Sequence, residues 1–442
     1  MLSKFYMPKS IFIAVLFTSL LGATVFGVSL NKIALIPFGV GLLLEFFGTN
    51  KHIFRVNRTE KKLLSFYIGA ILSCLIGLFN DNSFSGYTSK LVSYAVQLLI
   101  CYIPIALFLW SSKNRENYFK CFQKSVVTVC RIHCIWALVQ FISYSLYSFD
   151  LNSFVFTNLL HGALGGKWTS WSWENGTLAL RVTGLNYDSA YLAIILIFGF
   201  IFDKRKAFRV LYFAAAVLSM SRTGIFTMTL AFVVDLYNKN SLKTIDSKKI
   251  FKMVVSIGVI SLVFLYLYNT LESVQYQVDY AMSRVADINS SEKSESTVLH
   301  QKYIPYSLLF YLSYLNPIQK LIGVGPRVAG IVFAENESNY SAIVLNQTQQ
   351  YTAWPIECDF AEVLLGYGIL GFILYYGILY DIYKGGNKQL RLFSISMVVM
   401  GIMYDYVEMT FFQLALIFIL SIKESKKSST IKPFNESTQV DA

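Results

Sequence analysis

The sequence predicts an all-α, polytopic integral membrane protein with about twelve transmembrane helices and two long outer loops. Hydrophobic residues occupy 55% of the 442 positions and charged residues only 14%, and the mean hydropathy is +0.50. Apolar runs of about 17 to 25 residues, the length that crosses a bilayer, recur along the chain. The sequence lacks the short alternating pattern that predicts a β-barrel.

The predicted spans follow from these runs in order. The first has a basic start, so a cleaved signal peptide is an alternative, but its long core and the span directly after it favour a retained helix. One helical domain is predicted over 1–422, with a cytoplasmic tail at 423–442. The runs lie near residues 10–29, 31–48, 63–79, 91–110, 125–149, 186–202, 253–269, 359–380, 392–406 and 408–422.

The run "VLYFAAAVLSMSRTGIFTMTLAFVVDLY" contains Arg222, where a charge costs at least about 2.5 kcal/mol on insertion scales. Basic loops at 203–209 and 239–252 flank the run, and both belong in the cytoplasm by the positive-inside rule. We therefore predict a hairpin in which 206–221 goes out, 222–237 returns, and the turn is "SMSRTG". Such a turn lines an outward-facing polar cavity with Arg222 at its floor.

This topology predicts a protein of the bacterial cytoplasmic membrane with both termini on the cytoplasmic side. Most of the 38 Lys and Arg residues then face inward, so the net charge of +12 indicates membrane topology and not nucleic acid. Arg131, near the inner end of its span, is interpreted as snorkelling. The inner loops are too short for a nucleotide-binding domain and carry no such motif. Chemistry is therefore expected on the outer face, in loops at about 150–185 and about 270–357.

The first outer loop contains three tryptophans and the stretch "RVTGLNYDSAYL". Tryptophans at this level fit an interfacial belt better than a sugar platform. Arg181 and Asp188 enter the next span together, which is compatible with a binding role or with a salt bridge at the membrane rim.

The second outer loop ends in a group of acidic residues. Glu357, Asp359 and Glu362 lie where the next span begins, and the helix dipole alone would favour them there. Beside a cavity that contains arginines they are also candidates for a general base, with Asp359 first and Glu357 second. Earlier in the loop, "NPIQKLIGVGP" predicts a tight turn at its glycines. The six cysteines show no CxxC or zinc spacing, so neither a metal nor a disulfide is predicted.

The order of these motifs resembles the O-antigen polymerase and O-antigen ligase superfamily. The landmarks are "RVTGLNYDSAYLA", "SMSRTG", "NPIQKLIGVGP" and the acidic entry into "LLGYGILGFI", and they cover roughly residues 181–376. In that family an arginine commonly precedes the proline of the glycine stretch by about fifteen residues, and here Lys302 stands at that place beside His300. Cys358 and Asp359 replace the His-Asn pair of the ligases, which favours a polymerase.

The resemblance implies a metal-independent glycosyltransferase that uses an undecaprenyl-diphosphate-linked oligosaccharide on the outer leaflet. An activated donor of this type needs no ATP, no cofactor is predicted, and arginines suit the leaving diphosphate because they bind its oxygens bidentately. Besides the lipid bilayer, chain-length regulator and flippase proteins are candidate partners, whereas nucleic acid is not. The alternatives are an O-antigen ligase and a lipid-linked oligosaccharide flippase. The predicted catalytic residues are Asp359, Glu357 and Arg222, and the predicted substrate contacts are Arg181, Arg222, Arg284, Lys302, His300 and Arg327.

Overall fold

The computed structural model shows a predominantly helical protein, as the composition predicts. It describes residues 2–20, 23–25, 28–48, 56–80, 86–159, 171–174, 177–186, 188–238, 266, 268–270, 275, 279, 295–336, 356 and 358–422.

Sixteen helices are named here, in chain order, from the part of the chain that the structure describes. A π-helical segment, Leu98–Tyr102, joins α5 to α6, and another, Ser153–Leu159, follows α7. The helices are α1 Leu2–Thr18, α2 Leu30–Ile33, α3 Leu35–Gly48, α4 Arg58–Gly77, α5 Tyr87–Gln97, α6 Ile103–Ser111, α7 Arg115–Tyr147, α8 Ser189–Phe202, α9 Lys206–Leu218, α10 Arg222–Asn238, α11 Glu295–Ser313, α12 Pro317–Ile322, α13 Ala329–Asn336, α14 Asp359–Gly385, α15 Lys388–Gly401 and α16 Thr410–Leu420.

Two short hairpins depart from the all-α prediction. Strands β1 (Thr24–Val25) and β2 (Val28–Ser29) pair antiparallel, as do β3 (Trp171–Glu174) and β4 (Thr177–Leu180). The first pair shows that the predicted span at 10–29 is wrong beyond Thr18.

Side-chain hydrogen bonds explain the early end of α1. The Thr18 hydroxyl donates to Ala14 O at 2.6 Å and the Ser19 hydroxyl donates to Leu16 O at 2.6 Å. Hydroxyls that bond back to helical carbonyls compete with continuation of the backbone ladder. The β-branched residues beyond them then favour extended backbone.

Among the residues that the structure describes, four segments are long and apolar enough to cross a membrane, namely 30–48, 87–111, 115–147 and 359–385, and three shorter apolar helices accompany them. Exposed aliphatic side chains follow helical spacing on two of the outer helices. On α7 the exposed residues are Ile135, Val139, Ile142 and Leu146, and on α4 they are Ile68, Leu72 and Leu75. A continuous stripe of exposed aliphatic side chains is typical of a helix face that contacts lipid. The structure is thus compatible with a membrane-embedded protein, while the count of twelve spans stays a prediction.

Contacts between helix ends define two ends of the bundle. At one, here called the basic end, Glu45 at the end of α3 accepts hydrogen bonds from Ser112 at 2.8 Å and Asn114 at 3.0 Å. Lys62 near the start of α4 pairs there with Asp381 near the end of α14, at 2.8 Å. The opposite end, here called the site end, contains the start of α14. The segments α3, α4, α5–α6 and α7 run between these ends in alternating directions, while the topology in a membrane stays a prediction.

The predicted hairpin around Arg222 is confirmed as two helices joined by a short turn. α9 ends at Leu218, and α10 begins at Arg222. Arg209 Nη2 near the start of α9 lies 2.8 Å from Asp235 Oδ2 near the end of α10, so the two helices are antiparallel. The turn consequently lies at the site end.

The sequence suggested that Arg131 snorkels to the interface. In the structure its guanidinium instead pairs with a carboxylate. Its Nε and Nη2 donate to Asp203 Oδ2 and Oδ1, both at 2.8 Å. Tyr212 Oη and Arg205 N also donate to Asp203, at 3.1 and 2.9 Å. Burial raises the pKa of Asp203, but these hydrogen bonds together lower it by more, so its pKa lies below the ordinary value. The α7–α8–α9 junction is therefore fixed by a bidentate ion pair.

Candidate functional site

Two glycine-containing segments meet at the site end. Gly323–Gly325 follow α12, and their backbone lies against a break in α14, where Gly368 has φ 66° and ψ −176°. Val324 N donates to Leu365 O at 2.9 Å, and Gly325 N donates to Gly366 O at 3.2 Å. A Cβ at Gly323, whose φ is 102°, would overlap the Gly366 carbonyl. Only glycine permits this close approach of two backbones.

The glycine junction determines where Arg327 lies. Arg327 adopts the left-handed region with φ 65°, which is uncommon for a residue with a side chain. Its backbone N–H donates to Glu362 Oε1 at 3.1 Å, and Glu362 Oε2 accepts from Ile356 N, also at 3.1 Å. A strained backbone held by a buried carboxylate is a feature that clusters at functional sites.

The guanidinium of Arg327 has three partners from distant parts of the chain. Its Nε donates to Glu408 Oε2 at 3.1 Å, and its Nη2 donates to Gln97 Oε1 at 3.3 Å. The Arg327 Cζ lies 4.4 Å from the centre of the Tyr94 ring, a distance typical of a cation–π contact. α5 and the loop before α16 thus converge on the guanidinium, and α14 holds the backbone of the same residue through Glu362.

Tyrosines complete the surroundings of Glu408. Tyr367 Oη donates to Glu408 Oε1 at 3.3 Å, and it also bonds to Tyr94 Oη at 2.8 Å. Burial lowers the pKa of Arg327, but the Glu408 carboxylate and the surrounding tyrosines together raise it above its ordinary value, so Arg327 stays charged. The Arg327 side chain remains 24% exposed and that of Glu408 8%. The cation is held rigidly yet stays reachable from outside the core.

Two lysines lie close enough to Arg327 to interact with its charge. Lys90 is one helical turn before Tyr94 on α5, so Lys90, Tyr94 and Gln97 share one face. Burial is the larger electrostatic influence on both lysines, and the charge of Arg327 is the second. Lys32 Nζ also donates to Ser93 Oγ at 2.8 Å. These three cations face the carboxylates of Glu408 and Glu362, so an external anion can bind them only in exchange for a carboxylate.

Asp359, the predicted base, is fully buried and engaged on both oxygens. Its Oδ1 accepts from Tyr406 N and Val407 N, both at 2.9 Å, and its Oδ2 accepts from Tyr375 Oη at 2.7 Å. These bonds fix the loop between α15 and α16, which carries Glu408. The geometry favours a positioning role for Asp359, while its role as a base stays a prediction.

The "RVTGLNYD" stretch is anchored against α7 and the same loop. Gln140 Oε1 accepts from Thr183 N at 3.1 Å and from Gly184 N at 3.2 Å. Asp188 caps α8 by accepting from Ala190 N at 2.8 Å, and it accepts from Tyr404 Oη at 2.5 Å. Arg181, at the start of the stretch, is partly exposed.

The remaining predicted residues are only partly described. Arg222 is partly exposed at the first position of α10, whose Thr227 Oγ1 lies 3.6 Å from Met400 Sδ on α15. His300 and Lys302 belong to α11, but their side chains lie outside the described residues. Arg284 and Glu357 lie outside the described residues altogether, as does the predicted tail 423–442.

Four residues of the site were not predicted from the sequence, namely Glu408, Tyr94, Gln97 and Lys90. A signal for them exists in the sequence. Lys90 and Gln97 lie seven residues apart where a predicted span begins, and "DYVEM" puts two carboxylates at the junction of two predicted spans. Ionisable residues at such depth are functional candidates by default.

No protein-family model matches this chain, and no curated protein matches its sequence. The resemblance to the O-antigen polymerases therefore rests on its motifs alone.

Proposed function

We propose that this protein is a membrane glycosyltransferase that polymerises glycan repeat units, of O-antigen or capsule type, from a polyprenyl-diphosphate-linked donor at the site end. The observation that carries the proposal is Arg327, a charged guanidinium on a strained backbone that is partly exposed beside Lys90 and Lys32. A donor diphosphate carries negative charge that can replace the Glu408 carboxylate at these cations. Its lipid tail matches the apolar outer faces of α4 and α7.

The reaction needs a cation for the leaving group and an acceptor for one proton. In the proposed transfer, an acceptor hydroxyl oxygen bonds to the anomeric carbon, and the bond from that carbon to the diphosphate oxygen breaks. The electron pair leaves with the lipid diphosphate, whose added charge Arg327 stabilises. The hydroxyl proton passes to a carboxylate, for which Glu408 is the candidate because it faces Arg327 directly.

Arg327 is paired with Glu408 in the structure, so donor binding has to compete with that pair. A diphosphate offers more oxygens and more charge than one carboxylate. If the diphosphate replaces Glu408 as the partner of Arg327, the Glu408 carboxylate is released when the reaction requires a base. Arg222, Arg181, Arg284, Lys302 and His300 remain proposed contacts of the same donor.

A transporter of lipid-linked oligosaccharides is the second candidate. The break in α14 at Gly368 favours it, because interrupted helices line the substrate sites of many transporters. A transporter and a polymerase would share the anion site and differ in whether a glycosidic bond forms.

The test is to incubate the purified protein in nanodiscs with a short polyprenyl-diphosphate-linked repeat unit. A polymerase gives a ladder of lipid-linked products that lengthen by whole repeats, together with released lipid diphosphate. A protein that binds the donor and forms no ladder would support the transporter. Failure to bind the donor at all would overturn the assignment of the anion site.

A further inference from the structure

We infer that a groove between α1 and α7, near the basic end, binds the headgroup of an anionic phospholipid. The groove has a volume of about 470 Å³, within the roughly 300 to 1,000 Å³ of typical ligand sites. Four residues of each helix line it: Pro8, Lys9, Phe12 and Ile13 of α1, and Cys121, Lys124, Ser125 and Thr128 of α7.

The packing of the two helices places both lysines at one depth. His133 Nε2 of α7 lies 3.0 Å from Ser19 Oγ just beyond α1. Lys9 precedes Ser19 by ten positions and Lys124 precedes His133 by nine, so the two lie about 15 and about 14 Å from that contact. The two lysines therefore lie on opposite walls of the groove at about the same level.

The walls of the groove are charged near the basic end and apolar one turn closer to the centre of the bundle. Lys9 and Lys124 are exposed, and neither has an ion pair among the described residues. Phe12 and Ile13 lie one turn closer to the centre of the bundle and are half-buried. A phosphate at the lysines would place acyl chains along Phe12 and Ile13. Charge above an apolar wall is the pattern that recognises an anionic lipid.

The surrounding charge favours the same occupant. Other cations at this end of the bundle include Lys113, Lys120 and Lys204. Anionic lipids are attracted to such basic regions by about 1 kcal/mol for each nearby Lys or Arg. We therefore assign the groove to a phosphatidylglycerol-type lipid of the leaflet at the basic end. This inference is independent of the proposed enzymatic activity.

The native cysteine in the groove provides the measurement. Cys121 is partly exposed and free, so its labelling by a maleimide can be followed by peptide mass spectrometry. Nanodiscs are prepared from phosphatidylcholine with increasing phosphatidylglycerol. We expect phosphatidylglycerol to slow labelling of Cys121, and Lys9→Gln with Lys124→Gln to shift the midpoint roughly tenfold to thirtyfold higher.

The controls separate the groove from general surface charge. Lys113→Gln with Lys120→Gln removes the same charge outside the groove and should shift the midpoint clearly less, and Lys9→Arg with Lys124→Arg should leave the midpoint unchanged. Equal protection by phosphatidylcholine alone, or by free inorganic phosphate, would overturn the inference. So would an equal shift in the Lys113 and Lys120 variant. Thermal unfolding of each variant verifies that the fold is intact.

Discussion

Arg327 Nε lies 3.1 Å from Glu408 Oε2, and this pair links two loops that are 81 residues apart in the chain. Gln97, 230 residues from Arg327, holds the same guanidinium. The site is thus assembled from three separated segments around one cation.

Neutralising Glu408 should strengthen donor binding. Glu408→Gln removes the carboxylate that competes with a diphosphate for Arg327, so donor affinity should rise roughly threefold to tenfold. If Glu408 also accepts the proton, turnover should fall in the same variant. Affinity is measured with the lipid-linked donor in nanodiscs, and Glu116→Gln, an exposed change at the basic end, serves as control. Weaker donor binding in Glu408→Gln would contradict the exchange of partners.

Adding a methyl group at Gly323 should destabilise the glycine junction. Gly323→Ala places a Cβ against the Gly366 carbonyl at a φ of 102°, so the free energy of unfolding should fall by about 2 to 3 kcal/mol. Gly69→Ala is the matched control, because a Cβ there meets no atom within 4 Å. Thermal unfolding of both variants provides the comparison, and equal melting temperatures would refute the requirement for glycine.

The Arg131–Asp203 pair should contribute stability that depends on pH. Since the Asp203 side chain is buried and Arg131 is partly exposed, Asp203→Asn should cost about 2 to 3 kcal/mol, below the cost for a fully buried pair. The pKa of Asp203 is lowered in the folded state. Its contribution is therefore complete above the unfolded pKa of about 3.9 and disappears as pH falls through the lower folded value.

Denaturation at several pH values tests this sign. The stability difference between wild type and Asp203→Asn should be constant from pH 7 to about pH 5 and should shrink below about pH 4. A difference that grows on acidification would show that the folded-state pKa is raised instead.

Two substitutions at Asp359 should separate a positioning role from a base. Asparagine can still accept from Tyr406 N and Val407 N and can donate to Tyr375 Oη. If Asp359 positions the Glu408 loop, Asp359→Asn should retain most activity, whereas Asp359→Ala should lose both activity and thermal stability. An Asp359→Asn protein that folds and binds donor but does not turn over would restore Asp359 as the base.

The helices could be predicted from sequence because their signals are local. Apolar runs locate many of the described helices, and the basic loops on both sides of Arg222 predict the helical hairpin that the structure contains. The site could not be predicted in the same way. Arg327, Glu408 and Gln97 meet only because two glycine segments bring α12 against α14, and that contact has no local signature. Asp359 was recognised by its position at a helix start, but its burial was not evident from that position.

The most direct test of the central claim is the rate of ladder formation by Arg327→Lys in nanodiscs with a lipid-diphosphate-linked repeat unit. A single ammonium cannot replace the planar guanidinium, so the rate should fall roughly tenfold to a hundredfold, or about 1.5 to 3 kcal/mol. Donor affinity should fall with it, and Arg222→Lys should show a loss of the same kind. Arg205→Lys, at the basic end, should behave as wild type. Normal ladders and normal donor affinity in Arg327→Lys would contradict the account.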